Sequence, residues 1–189
     1  MTIESVFLPR SRTPRDGLLT TDALQSGPFA PYAAEGFAAV DSILADLTFH
    51  HFAIVVADLD LARELHTVEL GVEAWQSGEL SGPALRHGRL VALDGTRIAV
   101  GRLGAGLVEL IQPGPHPTVA REILDRRGEG LFAVGYLVSN PRAALRGAQA
   151  HGAVIEQVQP NRTEPTEAYL DAGSGLLIAL LRHGATWPL

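Results

Sequence analysis

His51-Phe-Ala-Ile-Val-Val-Ala-Asp58 and Ala133-Val-Gly-Tyr-Leu-Val-Ser-Asn140 open two similar halves of one chain, 82 residues apart (133 − 51 = 82). Each is an apolar, largely β-branched run, which favours a strand, and each ends on an Asp or Asn suited to cap a following helix. Farther out, Leu107-Val-Glu-Leu-Ile111 closes the first half and Leu177-Ile-Ala-Leu-Leu181 closes the second. A histidine on an opening strand and a glutamate on a closing strand can meet as metal ligands or as an acid/base pair. The first half offers His51 and Glu109 for this. The second half has Ala133 and Ala179 in their places.

The segments between these markers repeat as well. In the first half, Asp58 caps a predicted helix through Leu70, with Leu59, Ala62, Leu65 and Val68 turned inward and Gly71 stopping it. Strands are expected at 72–80, around 90–93 and 97–103, and at 107–111, with Gly104-Ala-Gly106 as a tight hairpin. Pro113-Gly-Pro-His-Pro117 is a stiff connector into a linking helix over 118–127. The second half reads as a strand at 131–138, a helix over 141–151 with Asn140 as cap and Pro141 first, and strands at 154–158, 168–171 and 176–182. The expected fold is therefore α+β: two βαβββ modules, 49–112 and 130–182, joined by a linker at 113–129. Their curved mixed sheets would face a common cleft. An arm, 1–48, lies outside the repeat. Phe37, Val40, Leu44 and Leu47 recur there at helical spacing, either to pack on the domain or a dimer seam or to cover a cavity. A short tail, 183–189, ends the chain.

Composition narrows the function. At 46% apolar and 19% charged over 189 residues, the chain reads as globular. A net charge of −6, with only 15 scattered basic residues, argues against a nucleic-acid partner. No apolar run approaches the roughly 18–20 residues of a membrane span, and the N-terminus lacks a signal-peptide pattern, so a cytoplasmic location with no membrane partner is expected. The absence of cysteine removes disulfides, thiolate metal sites and cysteine nucleophiles.

The ordered stretches Phe49-His-His-Phe-Ala-Ile-Val-Val-Ala-Asp-Leu-Asp60, Leu107-Val-Glu-Leu-Ile-Gln-Pro113 and Tyr169-Leu-Asp-Ala-Gly-Ser-Gly-Leu-Leu-Ile178 resemble the vicinal oxygen chelate superfamily. This is the glyoxalase, bleomycin-resistance and extradiol-dioxygenase group, and within it the likeness is greatest to methylmalonyl-CoA epimerases. The resemblance implies a divalent cation held by one residue near the start and one near the end of each module. By position those are His51 and Glu109 in the first, with Ala133 and Ala179 where the second pair belongs. Phe132 stands where a histidine pair is common. The carboxylate of epimerases falls on Leu93, with Asp94 beside it. The expected cofactor is accordingly none, or a weakly bound divalent metal on His51 and Glu109.

His51 and Glu109 are then the candidate catalytic residues, working as a general acid or base in an apolar cleft. Phe132, Ala133 and Ala179 should line that cleft. Arg86 and Arg97 are cationic candidates for a substrate carboxylate or phosphate. So is Arg162, which the resemblance, with Glu164, places at a hairpin bordering the cavity. Tyr169 is a further candidate, whereas Tyr136 and His50 should face away by strand alternation. The expected function is an isomerase- or lyase-type enzyme acting by proton transfer on a small oxo- or acyl-substrate. The alternative is a binding protein that uses the same cleft to sequester an apolar ligand. A homodimer is expected.

Overall fold

In this computed structural model the described residues are 47–159 and 165–184. The first half runs β1 (Thr48–Val55), α1 (Leu59–Leu70), β2 (Glu73–Leu80), β3 (Pro83–Arg86), β4 (Arg89–Ala92), β5 (Thr96–Leu103) and β6 (Gly106–Gln112). After α2 (Val119–Arg127), the second half runs β7 (Gly130–Val138), α3 (Pro141–Ala150), β8 (Val154–Gln159), β9 (Glu167–Asp171) and β10 (Leu177–Arg182). The expected caps Asp58 and Asn140 form, and Thr118, expected inside its helix, caps it instead. The Asp58 side chain accepts from the Asp60 and Leu61 amides, Thr118 from Arg121, and Asn140 from Ala143. Gly71 ends α1 in the left-handed conformation, at φ 69°, which glycine adopts without a Cβ penalty.

Strand register puts the repeat on a physical footing. β1 runs parallel to β6 with His51 opposite Leu107 and Ala53 opposite Glu109. β7 runs parallel to β10 with Ala133 opposite Leu177 and Gly135 opposite Ala179. His51 and Ala133 are thus equivalent, and so are Glu109 and Ala179. The halves meet where β1 and β7 pair antiparallel, joining ten strands into one curled mixed sheet of order β2-β5-β6-β1-β7-β10-β9-β8-β3-β4.

Each face has its own core. On one, Val56, Leu59 and Ala62 pack with Ala99, Val108 and Leu110 under α1, while Leu145 and Ala148 of α3 pack with Ala168, Leu170 and Leu180. On the inner face, Ala53, Val55, Ile98, Ile111, Ala133, Leu177, Ala179 and Leu181 pack beneath Val119 and Ala120 of α2. The linking helix therefore roofs the surface on which the repeat places its chemistry.

The structure departs from the sequence reading in three places. β3 is a strand that the periodicity missed, and its hairpin with β4 leaves its own half to pair with β8 through Leu85 and Val158. The pairing of β1 with β7 in turn makes one sheet of the two expected. Leu65 and Val68 do not face inward, being 44% and 77% exposed. At about 100° per residue each three-residue step from Leu59 turns back about 60°, which carries Val68 to the opposite side of α1.

Candidate functional site

His51 and Glu109 reach the inner face from adjacent strands, and both are fully buried. His51 fits because Gly135 lies across from it on β7; a Cβ there would come within 2.1 Å of the imidazole. His51 Nε2 approaches Glu109 Oε2 to 3.2 Å, without the alignment of a hydrogen bond. Burial pushes the imidazole down to about 4, partly offset by the charge of Glu167, and pushes the Glu109 carboxyl up to about 8. Near neutral pH the pair is therefore a neutral imidazole beside a protonated carboxyl group.

Two bulges shape this centre. Phe49 pairs with Tyr136 and His51 with Gly135, so His50 is an extra residue on β1; Ala53 pairs with Ala133 and Ile54 with Leu131, so Phe132 is extra on β7. A bulge breaks strict alternation of side chains. His50, expected to turn away, instead places its Nδ1 3.0 Å from Nδ1 of His51. Phe132 joins Ala133 in the inner core and stacks on Tyr169 with ring centroids 5.7 Å apart. The bulges occupy equivalent positions in the two halves. Tyr136 does face away, as expected, and packs with the α3 layer.

Sequence reading missed one residue here, Glu167. It shares the inner face of β9 with Tyr169 and is 6% exposed. Its Oε2 accepts from Gln159 Nε2, the Tyr169 phenol is a second hydrogen-bond partner, and Oε1 accepts nothing among the described residues. Burial, then the charge of Glu109, push its carboxyl up to about 7, against the pull of His51 and the two hydrogen bonds. Burial and the neighbouring Glu167 and Glu109 likewise hold the Tyr169 phenol above its usual range. The signal available was period-two alternation with Tyr169, had the strand been started one residue earlier.

The remaining candidates divide. Phe132, Ala133, Tyr169 and Ala179 belong to the same inner core as Ala53 and Ile111, around His51 and Glu109. Arg97 points to the α1 side, where its guanidinium meets both carboxylate oxygens of Asp60 at 3.0 and 3.1 Å. Arg86 is held by Glu122 of α2 and by the Pro117 carbonyl. With His87, Glu122, Arg126 and Glu156 it borders a cavity of about 380 Å³ that Val119 and Leu177 of the inner core also line. Leu93 is buried, and Asp94 is exposed, turned away from the core. Arg162 and Glu164 lie outside the described residues.

The family model of the Glyoxalase/Bleomycin resistance protein/Dioxygenase superfamily matches residues 50–169, well over half of the chain. The chain belongs to this superfamily. Its fold is shared with solved structures of low identity. Methylmalonyl-CoA epimerase from Mycobacterium tuberculosis is 22% identical, with 71% of this chain and 86% of that one covered and a TM-score of 0.50. A variant of the Streptomyces coelicolor epimerase in complex with 2-nitronate-propionyl-CoA is 18% identical, covering 74% and 99%, at a TM-score of 0.54. A hypothetical protein from Bacillus halodurans C-125 is 16% identical, covering 75% and 97%, at 0.56. No curated protein matches the sequence.

The superfamily's fourfold metal pattern does not fit this donor set. Of its four positions, register leaves His51 and Glu109 against Ala133 and Ala179. No three His, Asp or Glu side chains among the described residues are grouped to hold an ion. Glu167 adds a carboxylate nearby, but it is turned toward Gln159 and Tyr169. An ion on His51 and Glu109 alone would leave most of its coordination to water.

Proposed function

We propose that this superfamily member is an enzyme of isomerase or lyase type, moving a proton on a small oxo- or acyl-substrate without a tightly held metal. The observation that carries this reading is the buried His51–Glu109 contact on the inner face, kept where the matching pair is alanine. In it, the neutral His51 takes a proton from the carbon next to a carbonyl and the protonated Glu109 donates to the carbonyl oxygen, so no net charge is added to the apolar surroundings. Reversal of those transfers at a different atom or face yields the product.

The second reading is a binding protein that encloses a small apolar ligand. Phe132 stacked on Tyr169, with Ala133 and Ala179 alongside, favours it, since these side chains offer contact area and no chemistry. In either case we propose a cytoplasmic homodimer with a small-molecule partner and neither nucleic acid nor membrane. Among the described residues, no helix is long and apolar enough to cross a membrane.

The test is proton exchange in deuterated water, followed by NMR, on a panel of 2-oxo acids, ketones and acyl-CoA thioesters that includes methylmalonyl-CoA, with and without added cobalt. Exchange lost in His51→Ala and Glu109→Gln supports the enzyme. Methylmalonyl-CoA itself should exchange negligibly: loss of the metal alone costs several kcal/mol of enolate stabilisation, roughly a thousandfold or more. No exchange anywhere in the panel, with an apolar molecule co-purifying, supports the binding protein. Rapid metal-dependent exchange of methylmalonyl-CoA, abolished in Glu109→Gln, would overturn the reading.

A further inference from the structure

The second half of the repeat lost its carboxylate at Ala179, yet a carboxylate from that half still reaches the inner face. In the register of β9 and β10, Ala179 lies opposite Tyr169 and Leu181 opposite Glu167. Glu167 is thus one strand over and two residues along from the vacant position, with its side chain on the same face. Gln159 Nε2 donates to one oxygen of its carboxyl group, and the other, Oε1, is buried and accepts no hydrogen bond among the described residues.

The surroundings of this carboxyl group are one-sided. The buried polar side chains of the described residues are His51, Thr96, Glu109, Thr118, Gln157 and Glu167, and they include no Lys or Arg. Of the three cations expected to greet a substrate anion, Arg97 is committed to Asp60 and Arg86 to Glu122, and Arg162 lies outside the described residues. An anionic group entering here would give up its hydration, meet two carboxyl groups, and find no buried cation among the described residues to compensate it. A hydrogen-bond donor or a cation would instead satisfy Glu167 Oε1, which otherwise bears the cost of an unpaired buried acceptor.

We propose that Glu167 is the second carboxyl group of the site, supplied by β9 in place of the one missing from β10, and that with Glu109 it restricts the site to neutral or cationic ligands. This rests on the reading of the His51–Glu109 centre as a ligand site. It adds the class of ligand, one that brings a hydrogen-bond donor or a positive charge and no carboxylate or phosphate to the inner face. Discrimination of this kind works by penalising the wrong partner and needs no new contact with the right one.

Isobutylamine, isobutanol and isobutyrate share one branched skeleton and differ in charge. Each is titrated into the full-length protein at pH 8, above the value of about 7 at which the Glu167 carboxyl releases its proton, and binding is read from the His51 imidazole NMR signals. The amine and the alcohol are expected to bind at least tenfold more tightly than the carboxylate. Glu167→Gln keeps the shape, removes the charge, and should cut the amine-to-carboxylate ratio about tenfold. A carboxylate less than tenfold weaker than the alcohol would overturn the charge selection, and an unchanged ratio in Glu167→Gln would overturn the role of Glu167. If Glu167→Gln does not fold, the wild-type ratio decides by itself. If none of the three probes moves the His51 signals, the ligand site itself fails, and the proposed function with it.

Discussion

Raising the pH from 6.5 to 8.5 is expected to destabilise this protein, and the size of the loss follows from its buried acids. Burial lifts the Glu109 carboxyl to about 8 and the Glu167 carboxyl to about 7, from an ordinary 4.5. The folded chain therefore keeps two protons that the unfolded chain has already released by pH 6.5. Stability that depends on those protons is fully present below about 4.5 and is lost as the pH rises through 7 and 8. His51 acts in the other direction. Its folded value near 4 lies below the ordinary 6.5, so its contribution is lost as the pH falls from 6.5 toward 4 and adds no slope above 6.5. Between pH 6.5 and 7 the states differ by two protons, and between 7 and 8 by one. At about 1.36 kcal/mol per proton per pH unit the fall is about 2.7 kcal/mol. The chain has no cysteine to titrate in this window. Urea unfolding followed by circular dichroism at half-unit pH steps reads the effect directly. Glu109→Gln and Glu167→Gln should each remove part of the slope, and together nearly all of it. A stability that is flat or rises from pH 6.5 to 8.5 would refute the neutral, proton-holding state of these carboxyl groups.

Gly135→Ala should destabilise by about 1–3 kcal/mol through overpacking, because the added Cβ would lie 2.1–2.7 Å from three atoms of the His51 ring; urea midpoints and the His51 NMR signals report both the loss and the displaced ring. Phe132→Ala should cost about 3–5 kcal/mol, since Phe132 is among the largest fully buried side chains and stacks on Tyr169; a loss below about 1 kcal/mol would show that the bulge does not drive this ring into the core. Protein purified without chelator should carry much less than one divalent ion per chain by elemental analysis. Near-stoichiometric metal that disappears in His51→Ala and Glu109→Gln would reveal ligands beyond the four family positions.

The repeat was legible because its signals are local. Apolar β-branched runs mark β1 and β7, Asp58 and Asn140 cap the helices that follow, and the His51/Ala133 and Glu109/Ala179 correspondence needs only equal spacing from those runs. The features that escaped depend on tertiary pairing. One extra residue in a strand leaves no mark in composition, so the turn of His50 and Phe132 toward the inner face was hidden. The crossing of the β3–β4 hairpin to β8 depends on a partner 73 residues away, Leu85 with Val158 (158 − 85 = 73). Glu167 was passed over because the strand was started at Ala168, and a single acidic residue at a strand end looks like a solvated one. The arginine candidates failed to converge for a related reason. Alternation put Arg97 on the helix-covered face, opposite to its neighbours Thr96 and Ile98, and the hairpin crossing carried Arg86 to α2.

The architecture stays twofold while the chemistry does not, which leads to a last prediction. Writing the lost ligands back, as Ala133→His with Ala179→Glu, should not restore a stoichiometric metal site. Both alanines are fully buried in the inner core, which also holds the stacked rings of Phe132 and Tyr169. A histidine and a glutamate at these positions would overpack that core, at a cost of about 1–3 kcal/mol. An added buried carboxylate left without a partner would cost about 3–5 kcal/mol more. With Glu109 and Glu167 already holding protons that a metal would have to expel, binding would also have to overcome their raised pKa values. The double variant should therefore melt well below the parent and remain substoichiometric in cobalt or zinc at neutral pH. Adding Phe132→Ala to the pair should recover part of the stability by making room. Full metal occupancy in the double variant alone, at parental stability, would mean that the inner face keeps space for its ancestral site and that the second half has not been given over to packing.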